Sequence, residues 1–173
     1  MIEAEGGRLD VAVMMGSKSD LETMKPAARV LEDLGLAVEV RVLSAHRTPE
    51  ETATFVREAC RRGVKVFVCG AGGAAHLAGA VAAHTTRPVI GVPIAAGSLG
   101  GLDALLSTVQ MPPGMPVATV AVGGAENAGL LAAQIAALGD PALAGRVEAE
   151  RAARRRKVLD SDAELQAQRR SRG

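Results

Sequence analysis

Apolar positions along the chain fall into two kinds of segment that take turns. Short unbroken apolar runs occur at Val11 to Met15, Val64 to Cys69, Pro88 to Val92 and Val117 to Val122, with a more mixed run from Ala37 to Leu43. Runs of this length bounded by turn residues read as strands buried in a sheet. Between them, apolar residues recur three and four apart, the spacing of one helix face. The first such stretch runs from Ser19 to Leu34, with Leu21, Met24, Ala28 and Leu31 on one side, and stops at Gly35. Others open at Thr48 and end at Gly63, or cover His76 to His84, Leu102 to Val109 and Asn127 to Leu138. Ser19 with Glu22, and Thr48 with Glu51, form capping-box patterns, and Pro49 suits a first helical position. After Pro141 the pattern predicts an amphipathic, Arg-rich helix that frays into a polar tail.

Strands alternating with helices imply a parallel sheet covered on both faces. Five strands, with the ligand edge beside the first, point to a three-layer flavodoxin-like α/β fold with an extended C-terminal helix. Residues 1–10 read as an N-terminal extension, 11–140 as one catalytic α/β domain, and 141–173 as the C-terminal helix and tail. No internal repeat or linker divides the chain.

Composition narrows the function. The chain of 173 residues is 48% hydrophobic and 23% charged with a formal net charge of +1, so no global field draws it to nucleic acid or membrane. Aromatic residues make up 1%, and both, Phe55 and Phe67, sit in core-like patterns. Little is therefore available to stack on bases or a flavin ring. Cys60 and Cys69 form no C-x-x-C pair and read as reduced, packed thiols. Met1 to Asp10 is short, polar and acidic, which does not fit a signal peptide, and no apolar run spans a bilayer. A cytoplasmic location is expected.

Two loops carry most of the candidate chemistry. Gly16-Ser17-Lys18-Ser19-Asp20 and Ser44-Ala45-His46-Arg47-Thr48-Pro49 each join a strand to a helix. Both should lie at the carboxyl edge of the sheet, where open α/β folds bind ligands. Hydroxyls beside helix amino termini suit an anion. Ser17, free of capping duty, fits a phosphate contact, whereas Ser19 fits an N-cap equally well. Asp20 is either a first-turn acid or a partner for ribose hydroxyls, and Lys18 reads as a solvated cation. Arg47 can grip a phosphate through two parallel hydrogen bonds, with Ser44 as another donor. His46 is the natural proton carrier near neutral pH. His84 reads as surface.

Gly70-Ala71-Gly72-Gly73-Ala74-Ala75 fits the dinucleotide fingerprint G-x-G-x-x-A formally, but follows the third strand. The acidic residue expected about 20 positions later is missing, since no Asp or Glu occurs between Glu58 and Asp103. Glycines here better suit close approach of the backbone to a small planar ligand. His76 could cap the next helix or line the pocket. Histidine spacing gives no metal site, and no G-x-S-x-G elbow is present.

These two loops, together with Gly70 to Leu77, Pro88-Val89-Ile90-Gly91-Val92-Pro93 and Ser107-Thr108-Val109-Gln110-Met111-Pro112, resemble the signatures of a known family. It is the class I N5-carboxyaminoimidazole ribonucleotide mutase family, long called the phosphoribosylaminoimidazole carboxylase catalytic subunit, of de novo purine synthesis. The resemblance runs from about Val11 to Leu138. It implies a homo-octamer with sites where subunits meet, and isomerisation of the N5-carboxylated ribonucleotide to its 4-carboxy isomer without ATP, metal or organic cofactor. From the charge balance and hydropathy, no nucleic-acid or membrane partner is expected. By matching position, Ser17, Ser44 and Arg47 would hold the phosphate and Asp20 the ribose hydroxyls. His46 would be the general acid and base, and Ala71, Gly72, Gly73, Ala74, His76 and Leu77 would enclose the imidazole and the migrating carbon dioxide. Ala78 stands where the family commonly has Pro, and Ala96 and Ala104 where serines are common. The alternative within the family is direct carboxylation of aminoimidazole ribonucleotide. A redox protein on the same fold, or a non-catalytic binding subunit, are the readings outside it.

Overall fold

The computed structural model describes residues 7–171. Five parallel strands, β1 (Val11–Met15), β2 (Val38–Val42), β3 (Val66–Gly72), β4 (Val89–Ile94) and β5 (Ala118–Thr119), form one sheet in the order β2-β1-β3-β4-β5. This is the flavodoxin-like order, with the topological switch beside β1. Among the described residues six α-helices accompany the sheet: α1 (Leu21–Asp33), α2 (Pro49–Arg61), α3 (Leu77–Ala82), α4 (Leu102–Val109), α5 (Ala125–Ala137) and α6 (Pro141–Arg170).

The period-two geometry of β1 builds both cores. Val11, Val13 and Met15 face a cluster with α1 and α5, while Ala12 and Met14 face one with Phe55, Val56 and Val81. Such central strands are buried on both sides, which is why β1 reads as an unbroken apolar run. α1 and α5 touch backbone to backbone, because a Cβ on Gly129 would lie 2.7 Å from the Ala27 carbonyl oxygen.

Leu9 and Asp10, the last residues of the segment read as an extension, are buried. The Asp10 carboxylate accepts from Ala37 N at 3.0 Å and from Arg8, and pairs with Lys65 Nζ at 3.3 Å. Burial pushes this carboxyl up. The Ala37 amide and the two cations outweigh that and hold it below the usual carboxylate range.

Several sequence expectations need correction. Gly70 to Gly72 belong to β3 rather than to a loop. β5 holds two residues instead of six. The cause lies in its neighbour: Pro93 accepts from Gly123 N through its carbonyl, so its nitrogen faces the same side and has no hydrogen to donate. A short 3-10 turn at Lys18–Asp20 precedes α1, and its N-cap is Ser17, not Ser19. Thr48 makes no capping bond either. α6 is one continuous helix of 30 residues, polar nearly all round, with Leu143 alone buried, rather than an amphipathic helix that frays. Cys60 and Cys69 are free thiols, and burial pushes the Cys69 thiol up.

Candidate active site

The carboxyl ends of β1, β2 and β3 each hand the chain to a loop, and the three loops meet over a cleft of about 430 Å³. Ser17, Asp20, Ser44, His46, Arg47, Ala71, Gly72, Ala74, His76 and Leu77 all line it. Gly73 does not; with φ +61° it makes the turn that leads β3 away. A larger groove of about 850 Å³ lies near the amino end of β4, beside His84 and Met115. We assign the site to the smaller cleft because two helix amino termini and nearly all the candidate polar groups converge there.

In the first loop, Ser17 Oγ accepts from Ser19 N at 3.3 Å and from Ser19 Oγ at 2.9 Å. It therefore does carry a capping duty, contrary to the sequence reading. When Ser19 gives its one hydroxyl hydrogen to the nearer Ser17 rather than to Asp20, both Ser17 lone pairs are engaged and its own hydrogen is free to be donated. Asp20 makes no cap bond to α1 and is touched only by Ser19 Oγ at 3.3 Å among the described residues. Lys18 is exposed and outside the cleft lining.

The second loop is folded on itself. Thr48 Oγ1 accepts from Ser44 N at 2.8 Å and donates to Ser44 O at 3.1 Å, so the threonine braces the loop instead of capping α2. Ser44 Oγ accepts from Arg47 N and Nε, at 3.2 and 3.4 Å. Arg47 Nη2 reaches across to donate to Gly16 O at 2.6 Å, joining the two loops. His46 Nε2 lies 2.8 Å from His76 Nδ1, with ring centroids 4.9 Å apart and planes at 79°. His76 is the N-cap residue of α3 yet makes no capping bond, and it lines the cleft.

Gly16, Ala45 and Ala96 also line the cleft, and sequence reasoning gave them no site role. Ala96 follows the carboxyl end of β4, where the rule that placed the first two loops applies equally. The cleft is thus an anion-suited end, with Arg47 and two hydroxyls, beside an imidazole pair and an alanine- and glycine-lined wall. No group of three or more His, Cys, Asp or Glu able to hold a metal occurs among the described residues. No helix among them is long and apolar enough to cross a membrane.

The AIR carboxylase family model matches residues 10–157. The chain belongs to that family. Its relatives include the N5-carboxyaminoimidazole ribonucleotide mutase of Mycobacterium tuberculosis, 53% identical over 161 residues, covering 93% of this chain and 92% of that protein. The protein of the same name from Saccharolobus solfataricus is 55% identical over 138 residues, covering 80% and 87%. That of Bacillus subtilis is 51% identical over 157 residues, covering 90% and 97%. Among solved structures, Treponema denticola PurE superposes with a TM-score of 0.81 at 31% identity, covering 91% of this chain and 99% of that one. The AIR carboxylase match begins at Asp10, the residue that ties β1 to its neighbours, and ends within α6.

Proposed function

We propose that this AIR carboxylase family member is an N5-carboxyaminoimidazole ribonucleotide mutase, converting that ribonucleotide to its 4-carboxy isomer without ATP. The carrying observation is the cleft itself, where one histidine pair stands beside an anion-suited end in a chain about half identical to proteins bearing that name. In this reading Arg47 and the hydroxyls of Ser17 and Ser44 hold the phosphate. Asp20, whose carboxylate is uncommitted to its helix, takes the ribose hydroxyls.

The reaction needs a proton in one place and then out of another. Protonation of the exocyclic nitrogen lets its bond to the carboxyl carbon break, releasing carbon dioxide and the aminoimidazole. Ring carbon four, made electron-rich by the amine, attacks the trapped carbon dioxide and forms the new bond. The hydrogen on that carbon then leaves as a proton and aromaticity returns. One group that first gives and then takes a proton is sufficient, and in this reading His46 is that group. The segment from Ala71 to Leu77 closes over ring and gas, and keeping both reactants together supplies the advantage of an intramolecular step.

Self-assembly, up to a homo-octamer, is part of this reading. Leu102, Leu106 and Val109 on α4 and Met115 beyond it are exposed apolar side chains, a surface that suits burial against other copies. The test is an ATP-free assay following the 4-carboxy product. Turnover is expected from the N5-carboxylated ribonucleotide and not from aminoimidazole ribonucleotide with bicarbonate. The opposite preference would make the protein a direct carboxylase.

A further inference from the structure

His46 and His76 stand 30 residues apart in the chain and 2.8 Å apart in space. A hydrogen bond between two imidazoles needs one ring to carry N–H and the other to present a bare nitrogen. Two N–H groups pointed at each other, or two bare nitrogens, would not hold at this distance. The proton on His46 Nε2 is therefore tied to the state of His76 Nδ1. Among the described residues neither ring has another side-chain hydrogen bond. His76 is itself well anchored: its amide donates to Ala74 O at 2.8 Å and its carbonyl accepts from Ala80 N at 2.9 Å, the first turn of α3. The ring that meets His46 thus sits on a rigid element.

We infer that His76 is a positioning residue for His46, fixing its ring orientation and tying the proton on its Nε2 to the state of His76 Nδ1. This rests on the acid–base role proposed above for His46. That role passes through two states, one with the working imidazole protonated and one with it bare. A carboxylate partner could only accept a hydrogen bond, and an ammonium could only donate. A second imidazole can do either, so the same neighbour holds His46 on both sides of the proton transfer.

Histidine-specific ¹⁵N NMR and steady-state kinetics, run on the wild type, His76→Ala and His76→Asn, test this. In the wild type without substrate, a coupling across the hydrogen bond should link His46 Nε2 to His76 Nδ1. In His76→Ala, which offers no partner, the His46 Nε2 signal should shift. Its kcat should fall by about tenfold or more, with KM within about threefold. His76→Asn, which has both a donor and an acceptor near the same place, should regain most of the rate. A His46 spectrum unchanged by His76→Ala, or an alanine effect confined to KM, would overturn the inference and leave His76 as a wall of the substrate pocket. Failure of the mutase reading is separate: it would appear as a wild type without turnover, while the wild-type coupling and the His46 spectra would still decide the role of His76. Should the alanine variant not fold, absence of the wild-type coupling alone would refute it.

Discussion

The two ends of the sheet use polar groups in opposite ways. At the amino end the charged groups have their hydrogen bonds met by the same chain. Asp10 is closed in by Ala37, Arg8 and Lys65, and Glu39 by Arg41 and Arg62. Burial pushes the Glu39 carboxyl up, but its two arginines hold it below the usual range. At the carboxyl end, Ser17 and Ser44 keep a hydrogen to donate, and among the side chains of the described residues Asp20 meets only Ser19 and His46 only His76. A buried polar group that is fully paired fixes a fold, whereas an uncommitted one in a cleft awaits a ligand. In the proposed reading, folding and chemistry are thus assigned to different ends of the same five strands.

The largest effect that sharpens this contrast is expected at His46. His46→Asn should lower kcat by about a thousandfold or more, equivalent to about 4 kcal/mol of transition-state stabilisation, with the melting temperature nearly unchanged. A large loss of stability with turnover retained would erase the distinction between the two ends. Asp10→Asn is the mirror experiment. The amide can keep the Ala37 bond but abandons both cations, so urea unfolding at pH 7 should lose about 2 kcal/mol while kcat is kept. The pH dependence follows from the lowered carboxyl. Its contribution is present above the unfolded value of about 3.9 and disappears as pH falls through the lower folded value. The gap between wild type and Asp10→Asn should therefore close on acidification below about pH 4, and a constant gap would assign the loss to packing instead.

The smallest effect is expected at Arg154. It bridges Glu126 on α5 and Glu150 on α6, at 2.7 and 2.8 Å, on a half-exposed surface. Arg154→Ala should cost about 0.5 kcal/mol or less, and the cost should shrink in salt. If it matched Asp10→Asn, charge pairing rather than burial would be what closes the amino end.

Much of this division was legible in the sequence. Continuous apolar runs located the strands, and α4 occupies the predicted Leu102–Val109. Local chemistry was read less well, because a hydroxyl's partner depends on loop shape rather than residue type. Ser17 took the cap expected of Ser19, and Thr48 turned back to Ser44 instead of forward into α2. The end of β5 was set by a proline on another strand, which no local pattern in 117–122 reveals. The cleft's membership was mostly foreseen, yet the contact of His46 with His76 was not, since it exists only once β2 and β3 flank β1.

The bond from Arg47 to Gly16 O has a consequence for how a ligand arrives. Arg47 spends its single Nε hydrogen on Ser44 and one Nη2 hydrogen on Gly16. Both hydrogens of Nη1 and one of Nη2 stay unassigned, a fork of the shape that two oxygens of one anion require. The fork is held open by the latch between the two loops before anything binds. Conformational freedom that a floppy site surrenders on contact has here already been surrendered during folding. In the proposed reading an anion would meet a fork already set, without waiting for two loops to find each other.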